Sequence, residues 1–327
     1  MPISKLPPLA LLACAALSAC AGDASVSPGG AAATSLPVVH RVVIVSIDGL
    51  RGDALPFMTA TSALRARALW TDSMQTVVPS VTVPGHLSMF TGRDVTKLGV
   101  TTNTLDQAAG LALVINNATT MFQWVKAAGG TSAALIGSSL VAPSDIEQAR
   151  TFFGIDEVQS VTTSLDTLRD RAIALAMRPN APTLLLVHIP TVDLAGHDFG
   201  WIRTTANTAT SGDVLGAEYL AAARGADAVV DSIWKALAPA VDAGDVALVI
   251  TADHGGGHGD GCVSGMPASR EHCTSSAADR TIPFLLIARG VSGARIAGRP
   301  TIMQVAPSIA RMLVASPPKG TGIPLHP

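Results

Sequence analysis

Charge is scarce in this sequence: Asp, Glu, Lys and Arg make up 14% of its 327 residues and leave a formal net charge of -2. No basic face is therefore offered to a polyanion, which excludes a nucleic-acid-binding surface. Aromatic side chains are scarcer still, at 4% with Tyr219 the single tyrosine, so stacking platforms for bases are missing too. Cysteine occurs only at Cys14, Cys20, Cys262 and Cys273. Internal repeats are absent, and low-complexity sequence is confined to an N-terminal linker. What is abundant is apolar sequence, 48% of the chain, enough for one large domain with a continuous core.

The N-terminus carries an address. Lys5 precedes an apolar run from Leu9 to Ala19, about half the ~20 residues of a bilayer-spanning helix, which favours a signal peptide over a membrane span. The run ends Leu17-Ser18-Ala19-Cys20. This resembles the lipobox of bacterial lipoproteins, which implies cleavage before Cys20 and lipid on its sulfur; ordinary secretion is the alternative. Residues 1–19 are thus expected to be a lipoprotein signal peptide. Residues 20–38, rich in Ala, Ser, Gly and Pro, form a flexible tether, and 39–327 a single domain. The expected location is a membrane facing the periplasm or the cell exterior. Export leaves Cys262 and Cys273 in an oxidising compartment, where a disulfide is expected rather than a pair of thiolate metal ligands. Closing that short loop contributes about 2 to 3 kcal/mol and pins the segment holding His272.

Within the domain, polar residues that suit chemistry follow apolar runs. Arg41 to Ile47 is of strand length and ends in Asp48-Gly49-Leu50-Arg51. Asp245 to Ile250 reads as a buried parallel strand that runs into Thr251-Ala252-Asp253-His254 and the glycines 255 to 257, followed by His258. Open α/β sheets place their sites at such carboxyl ends, and an Asp-His pair there suits a metal. Thr183 to Ile189 is another strand, leading into Asp193-Leu194-Ala195-Gly196-His197, where one helical turn puts carboxylate and imidazole on the same face. In Val78-Pro79-Ser80-Val81-Thr82-Val83-Pro84-Gly85-His86, Pro84 suits a first helical turn, so Thr82 lies at or just before a helix N-terminus. There it can serve as the N-cap, sit beside a bound phosphate oxygen, or act as a nucleophile. Further strands are expected at 131–136 and 283–288, with helices at 117–126, 165–177, 215–237 and 301–313. His272, before the last strand, completes the set.

Ser46-Ile47-Asp48-Gly49-Leu50-Arg51, Pro79 to His86 with Thr91-Gly92, Asp193 to His197 and Ala252-Asp253-His254-Gly255 occur in an order that resembles the alkaline phosphatase superfamily, and within it the type I phosphodiesterase or nucleotide pyrophosphatase family. The match spans about Val42 to Gly290. The resemblance implies an α/β fold, a three-layer sandwich with a mostly parallel central sheet and helices on both faces. It implies a zinc-dependent phosphoric ester hydrolase with two Zn2+ ions, one held by Asp193, His197 and His272, the other by Asp48, Asp253 and His254. Thr82 would contact the metals and attack phosphorus, and Asn103 would donate to a non-bridging oxygen. Imidazole with carboxylate independently suits zinc. Three departures qualify the pattern. Val83 stands where nucleotide-cleaving relatives carry an aromatic. Leu135 to Leu140 lacks the Lys-x-Arg pair of threonine-type monoesterases, which favours a phosphodiester or pyrophosphate substrate over a monoester. His272 is followed by Cys273 rather than glycine, with His258 as competitor for its role. The alternatives are a phosphomonoesterase, a phosphonate hydrolase and a non-catalytic binding lipoprotein. A sulfatase is rejected because no Cys-x-Pro-x-Arg-like motif is present.

Overall fold

A computed structural model describes residues 35–105, 107–137, 140–141, 145–161, 163–203 and 214–325. The chain divides into compact units Met1–Ala31 and Ala32–Pro327, and every described residue belongs to the second. The signal peptide and lipidated Cys20 expected from sequence lie outside the described residues, as does the tether up to residue 34. No described helix is long and apolar enough to cross a membrane.

The chain opens with β1 (Arg41–Ile47), α1 (Thr59–Leu64), β2 (Ala68–Gln75) and α2 (Thr82–Thr91). It continues through α3 (Gln107–Ile115), α4 (Met121–Ala127), β3 (Ser132–Gly137), α5 (Ile146–Phe153), β4 (Glu157–Val161) and α6 (Leu165–Met177). Next come β5 (Leu184–Ile189), α7 (Thr191–Phe199), β6 (Ile202–Arg203), β7 (Val214–Leu215), α8 (Ala217–Ala243) and β8 (Val246–Thr251). The chain closes with α9 (Ala277–Arg280), β9 (Thr281–Ile287), β10 (Ala294–Arg295) and α10 (Val305–Met312).

Eight strands form one sheet in the order β10-β2-β9-β8-β1-β5-β3-β4. All are parallel except β9, which returns from the loop after β8 directly beside it and so needs no crossover helix. Every residue of β3, β5 and β8 is buried. That is the pattern of strands covered on both faces, each large aliphatic side chain contributing about 1.5 to 3 kcal/mol of burial. In one helical layer α8 packs on α1, α6 and α7, and in the other α10 packs on α2 and α4.

Where elements differ from the sequence reading, local chemistry explains it. The helix expected from residue 117 begins at Met121, because Asn117 takes a positive φ of 49° and Thr120 forms a capping box with Gln123. The helix expected to stop at Leu237 runs past Pro239 to Ala243, where Gly244 in left-handed conformation ends it. Thr301 and Gln304 form another capping box, which opens a 3-10 turn ahead of α10.

Candidate metal centre

The sheet delivers the candidate ligands to one end. Asp48 directly follows β1, Asp193 and His197 stand on α7 just past β5, and Asp253 and His254 follow β8. His272 arrives on the loop between β8 and α9. Thr82 is the first residue of α2, not its cap, since Val81 holds the N-cap position. Apart from His197, whose side chain is 33% exposed and marks the mouth of the site, these side chains are buried.

The six candidate ligands converge, and among the described residues the donor atoms of Asp48, Asp253 and His254, and those of Asp193, His254 and His272, lie within 4.8 Å of one another. Asp193 Oδ1 lies 3.6 Å from both His197 Nε2 and His272 Nε2, which are 3.2 Å from each other. His254 Nε2 lies 3.3 Å from Asp48 Oδ1 and from Asp253 Oδ2, and 3.9 Å from Asp193 Oδ1, which joins the two sets. It is His272, not His258, that meets Asp193 and His197; the His258 backbone N–H is spent on Asp279 Oδ1 at 3.1 Å.

These atoms fit divalent cations. His197, His254 and His272 each donate Nδ1–H to a backbone carbonyl, of Arg270, Gly255 and Ser80 respectively, so each turns its Nε2 inward. Two nitrogen lone pairs facing at 3.2 Å repel unless a cation lies between them. Asp253 Oδ1 accepts Gly49 N–H at 3.3 Å. Its Oδ2 lies 3.2 Å from His86 Nδ1 and 3.3 Å from His254 Nε2, whereas Asp193 Oδ1 is buried with no hydrogen-bond partner among the described residues, and an orphaned carboxylate oxygen costs too much to bury without a charge partner.

Glycines in the motifs make room for Trp201. A Cβ on Gly196 would lie 2.3 Å from the indole and one on Gly256 2.4 Å from it, so the Asp193 and Asp253 motifs close on the two sides of one ring. Trp201 is fully buried and donates its indole N–H to Gly49 O at 2.8 Å. Gly49 itself has φ +69° and lets the backbone of Asp193 approach to 2.9 Å of its missing Cβ.

Several supporting residues carried no role in the sequence reading. His188 lies 3.1 Å from Asp48 Oδ2. His86, part of the Thr82 motif, meets Thr82 O at 3.0 Å and Asp253 Oδ2 at 3.2 Å. Glu271 Oε1 stands 3.6 Å from His197 Nδ1. Asp279, wholly buried, accepts from Cys273 N, Thr274 N and Thr274 Oγ1, and so ties down the segment after His272. Cys262 and Cys273 are joined as a disulfide in the same loop, as expected from sequence. A histidine inside the apolar run at 184–189 was a legible signal; the others were not.

The electrostatics of these side chains follow from burial. Burial, and then the charge of Asp48, raises the Asp193 carboxyl well above its usual range. Burial opposes charge on Asp48 too, but hydrogen bonds from His188 and His254 outweigh it and hold the carboxyl well below. Burial likewise opposes charge on His254, yet Asp253, Asp48 and Asp193 lift it to about 10. Burial and the charge of His254 push His272 well below the usual imidazole range. At pH 7.5 His254 therefore holds a proton that a cation must displace. Binding of a divalent cation here is expected to release at least one proton per chain and to tighten as pH rises toward 10. Calorimetric titration in buffers of differing ionisation heat reads this directly, and a heat independent of buffer would contradict it.

The sequence profile of the family described as type I phosphodiesterase / nucleotide pyrophosphatase matches residues 42–272. No curated protein matches the chain. Among solved structures, murine ectonucleotide pyrophosphatase/phosphodiesterase 5 is similar at a TM-score of 0.63 and 14% identity, over 86% of this chain and 97% of that one. An inactive threonine-to-alanine variant of that mouse protein was solved in complex with AMP. A 2-O glycosaminoglycan sulfatase (TM-score 0.62, 12% identity, 89% of this chain and 73% of that one) shares the fold. So does an alkaline phosphatase superfamily protein from Vibrio parahaemolyticus (TM-score 0.57, 14% identity, 89% and 70%). Because the profile runs through most of the domain, the chain belongs to the type I phosphodiesterase / nucleotide pyrophosphatase family and is a phosphoric ester hydrolase.

Proposed function

We propose that this hydrolase is an exported binuclear zinc enzyme that cleaves phosphodiester or pyrophosphate bonds through a phospho-threonine on Thr82. The observation that carries the proposal is the position of the Thr82 hydroxyl: 3.2 Å from His254 Nε2, the atom on which Asp48, Asp253 and Asp193 converge. Asp193, His197 and His272 would hold one ion, and Asp48, Asp253 and His254 the other. Bound there, two zinc ions would supply Lewis acidity to the attacking and leaving oxygens.

The chain's own residues do the rest. Thr82 Oγ1 gives up its proton and forms a bond to phosphorus as the bond to the leaving oxygen breaks; the leaving oxygen keeps the electron pair and takes up a proton to depart as an alcohol or phosphate. Water then cleaves the Thr82 ester and restores the hydroxyl. Asn103 is oriented for an electrophilic role. Its Oδ1 accepts Val83 N–H at 2.8 Å, which turns the amide nitrogen toward Thr82 Oγ1 at 3.5 Å, where it can donate to a non-bridging oxygen. The N-terminal end of α2 adds positive potential at the same place.

Among the described residues no lysine or arginine side chain hydrogen-bonds Thr82 or Asn103. A site without that extra cation suits the monoanionic phosphate of a diester better than a dianionic monoester. The zinc-loaded protein is expected to cleave bis(p-nitrophenyl) phosphate faster than p-nitrophenyl phosphate, and the reverse ratio would establish the monoesterase instead. The AMP complex of the mouse protein makes nucleotides one arm of a substrate panel, beside dinucleotides and glycerophosphodiesters.

Residues 1–19 as signal peptide, 20–38 as tether and 39–327 as catalytic domain complete the proposal, with lipid on Cys20 holding the enzyme at a membrane outside the cytoplasm. Cys20→Ser should move the protein from the membrane to the soluble fraction; an unchanged membrane fraction would argue for another anchor.

A further inference from the structure

We infer that His188 is a positioning residue that decides which oxygen of Asp48 faces the metal centre. The inference rests on the two-ion reading of the site. His188 is fully buried in β5, a strand otherwise made only of leucine, valine and isoleucine. An imidazole costs too much there unless both ring nitrogens are bonded, and both are. Gly137 at the end of β3 donates its N–H to Nδ1 at 3.0 Å. That bond fixes the tautomer: Nδ1 accepts, so the proton sits on Nε2 and is donated to Asp48 Oδ2 at 3.1 Å.

The fold makes this arrangement specific. His188 pairs in register with Ser46 on β1, two residues before Asp48, so the ring rises beside the carboxylate from the neighbouring strand. Gly137 can come close because it has no side chain; a Cβ there would lie 2.7 Å from Pro190 Cγ and 3.0 Å from His188 Nδ1. With Oδ2 held by imidazole, Oδ1 is the oxygen turned toward His254 Nε2 at 3.3 Å. A carboxylate anchored through one oxygen loses the freedom to rotate away, and the cation meets a ligand already in place. Of the two proposed ion sites, the effect belongs to the one built on Asp48, Asp253 and His254.

Asparagine and glutamine separate the two bonds. The terminal group of asparagine reaches the place of Nδ1 and can still accept from Gly137 N–H, but falls short of Asp48. The terminal amide of glutamine reaches the place of Nε2 and can donate to Asp48 Oδ2. The full-length protein and the variants H188N and H188Q are stripped with chelator, checked for folding by thermal melting, and titrated with Zn2+ against a competing chelator, with metal content read by mass spectrometry. In wild type two ions are expected. In H188N one of the two should bind about 10- to 100-fold more weakly, while H188Q stays near wild type. Should H188N fail to fold, His188→Met takes its place in the comparison. Two ions in wild type with unchanged affinity in H188N overturn the role of His188 alone, as does equal weakening in H188N and H188Q, which would mark a packing role. Fewer than two ions in wild type overturn the two-ion reading and this inference with it.

Discussion

Thr82→Ala is expected to lower kcat on a diester substrate by about 10 000-fold or more, the loss that follows when a covalent nucleophile is removed. That is about 5.5 kcal/mol of barrier. The fold should hardly register the change. Thr82 is not the cap of α2, and among the described residues its hydroxyl bonds only to His254 and Asn103, so no described element depends on it. Both ions should remain bound, because each keeps its three protein ligands. Thr82→Ser, which retains the hydroxyl, should recover most of the rate. Burst kinetics and mass spectrometry of acid-quenched wild-type enzyme should catch the phosphorylated residue. Full activity in the alanine variant would mean that water attacks phosphorus directly.

Removing the metals should be nearly as consequential for stability. A cation that binds only the native state adds about 4 kcal/mol when present at 1000 times its dissociation constant. At about 2 °C per kcal/mol for a chain of this size, stripping both ions should lower Tm by roughly 15 °C. The residual structure should survive, because protons partly replace the ions: His254 takes one up with its raised affinity, and burial favours a neutral Asp193. Calorimetric melting before and after chelation, with zinc added back, measures the effect. Melting indifferent to chelation would leave the convergent carboxylates without the ions proposed for them.

Much of this site is written in local sequence, and the reason is topological. In a parallel sheet the residue after each strand is at the active end by construction, so Asp48, Asp253 and His254 could be placed from the apolar runs that precede them. The one-turn spacing of Asp193 and His197 likewise describes a single helix. β1 and the helix at 165–177 begin and end where periodicity put them. The supporting residues were out of reach for the opposite reason. The bond from His188 to Asp48 joins neighbouring strands 140 residues apart, and nothing in either segment announces the other. Trp201 was equally hidden, since the glycines it requires at 196 and 256 look like ordinary turn residues until the ring stands between them. Helix starts at Met121 and Val305 were missed because single caps, at Thr120 and Thr301, overrode the apolar pattern.

The spread of the candidate ligands from Asp48 at the first strand to His272 near the last has a consequence for assembly. A nascent chain owns no complete set of donors until almost the whole domain has been synthesised and the sheet has closed, so a free ion cannot nucleate folding here as it does in small zinc modules. Long-range strand pairing must come first and slowly. Capture of the proposed ions is then the concluding event, and it happens in whichever compartment the chain finishes folding, on the terms of that compartment's metal supply.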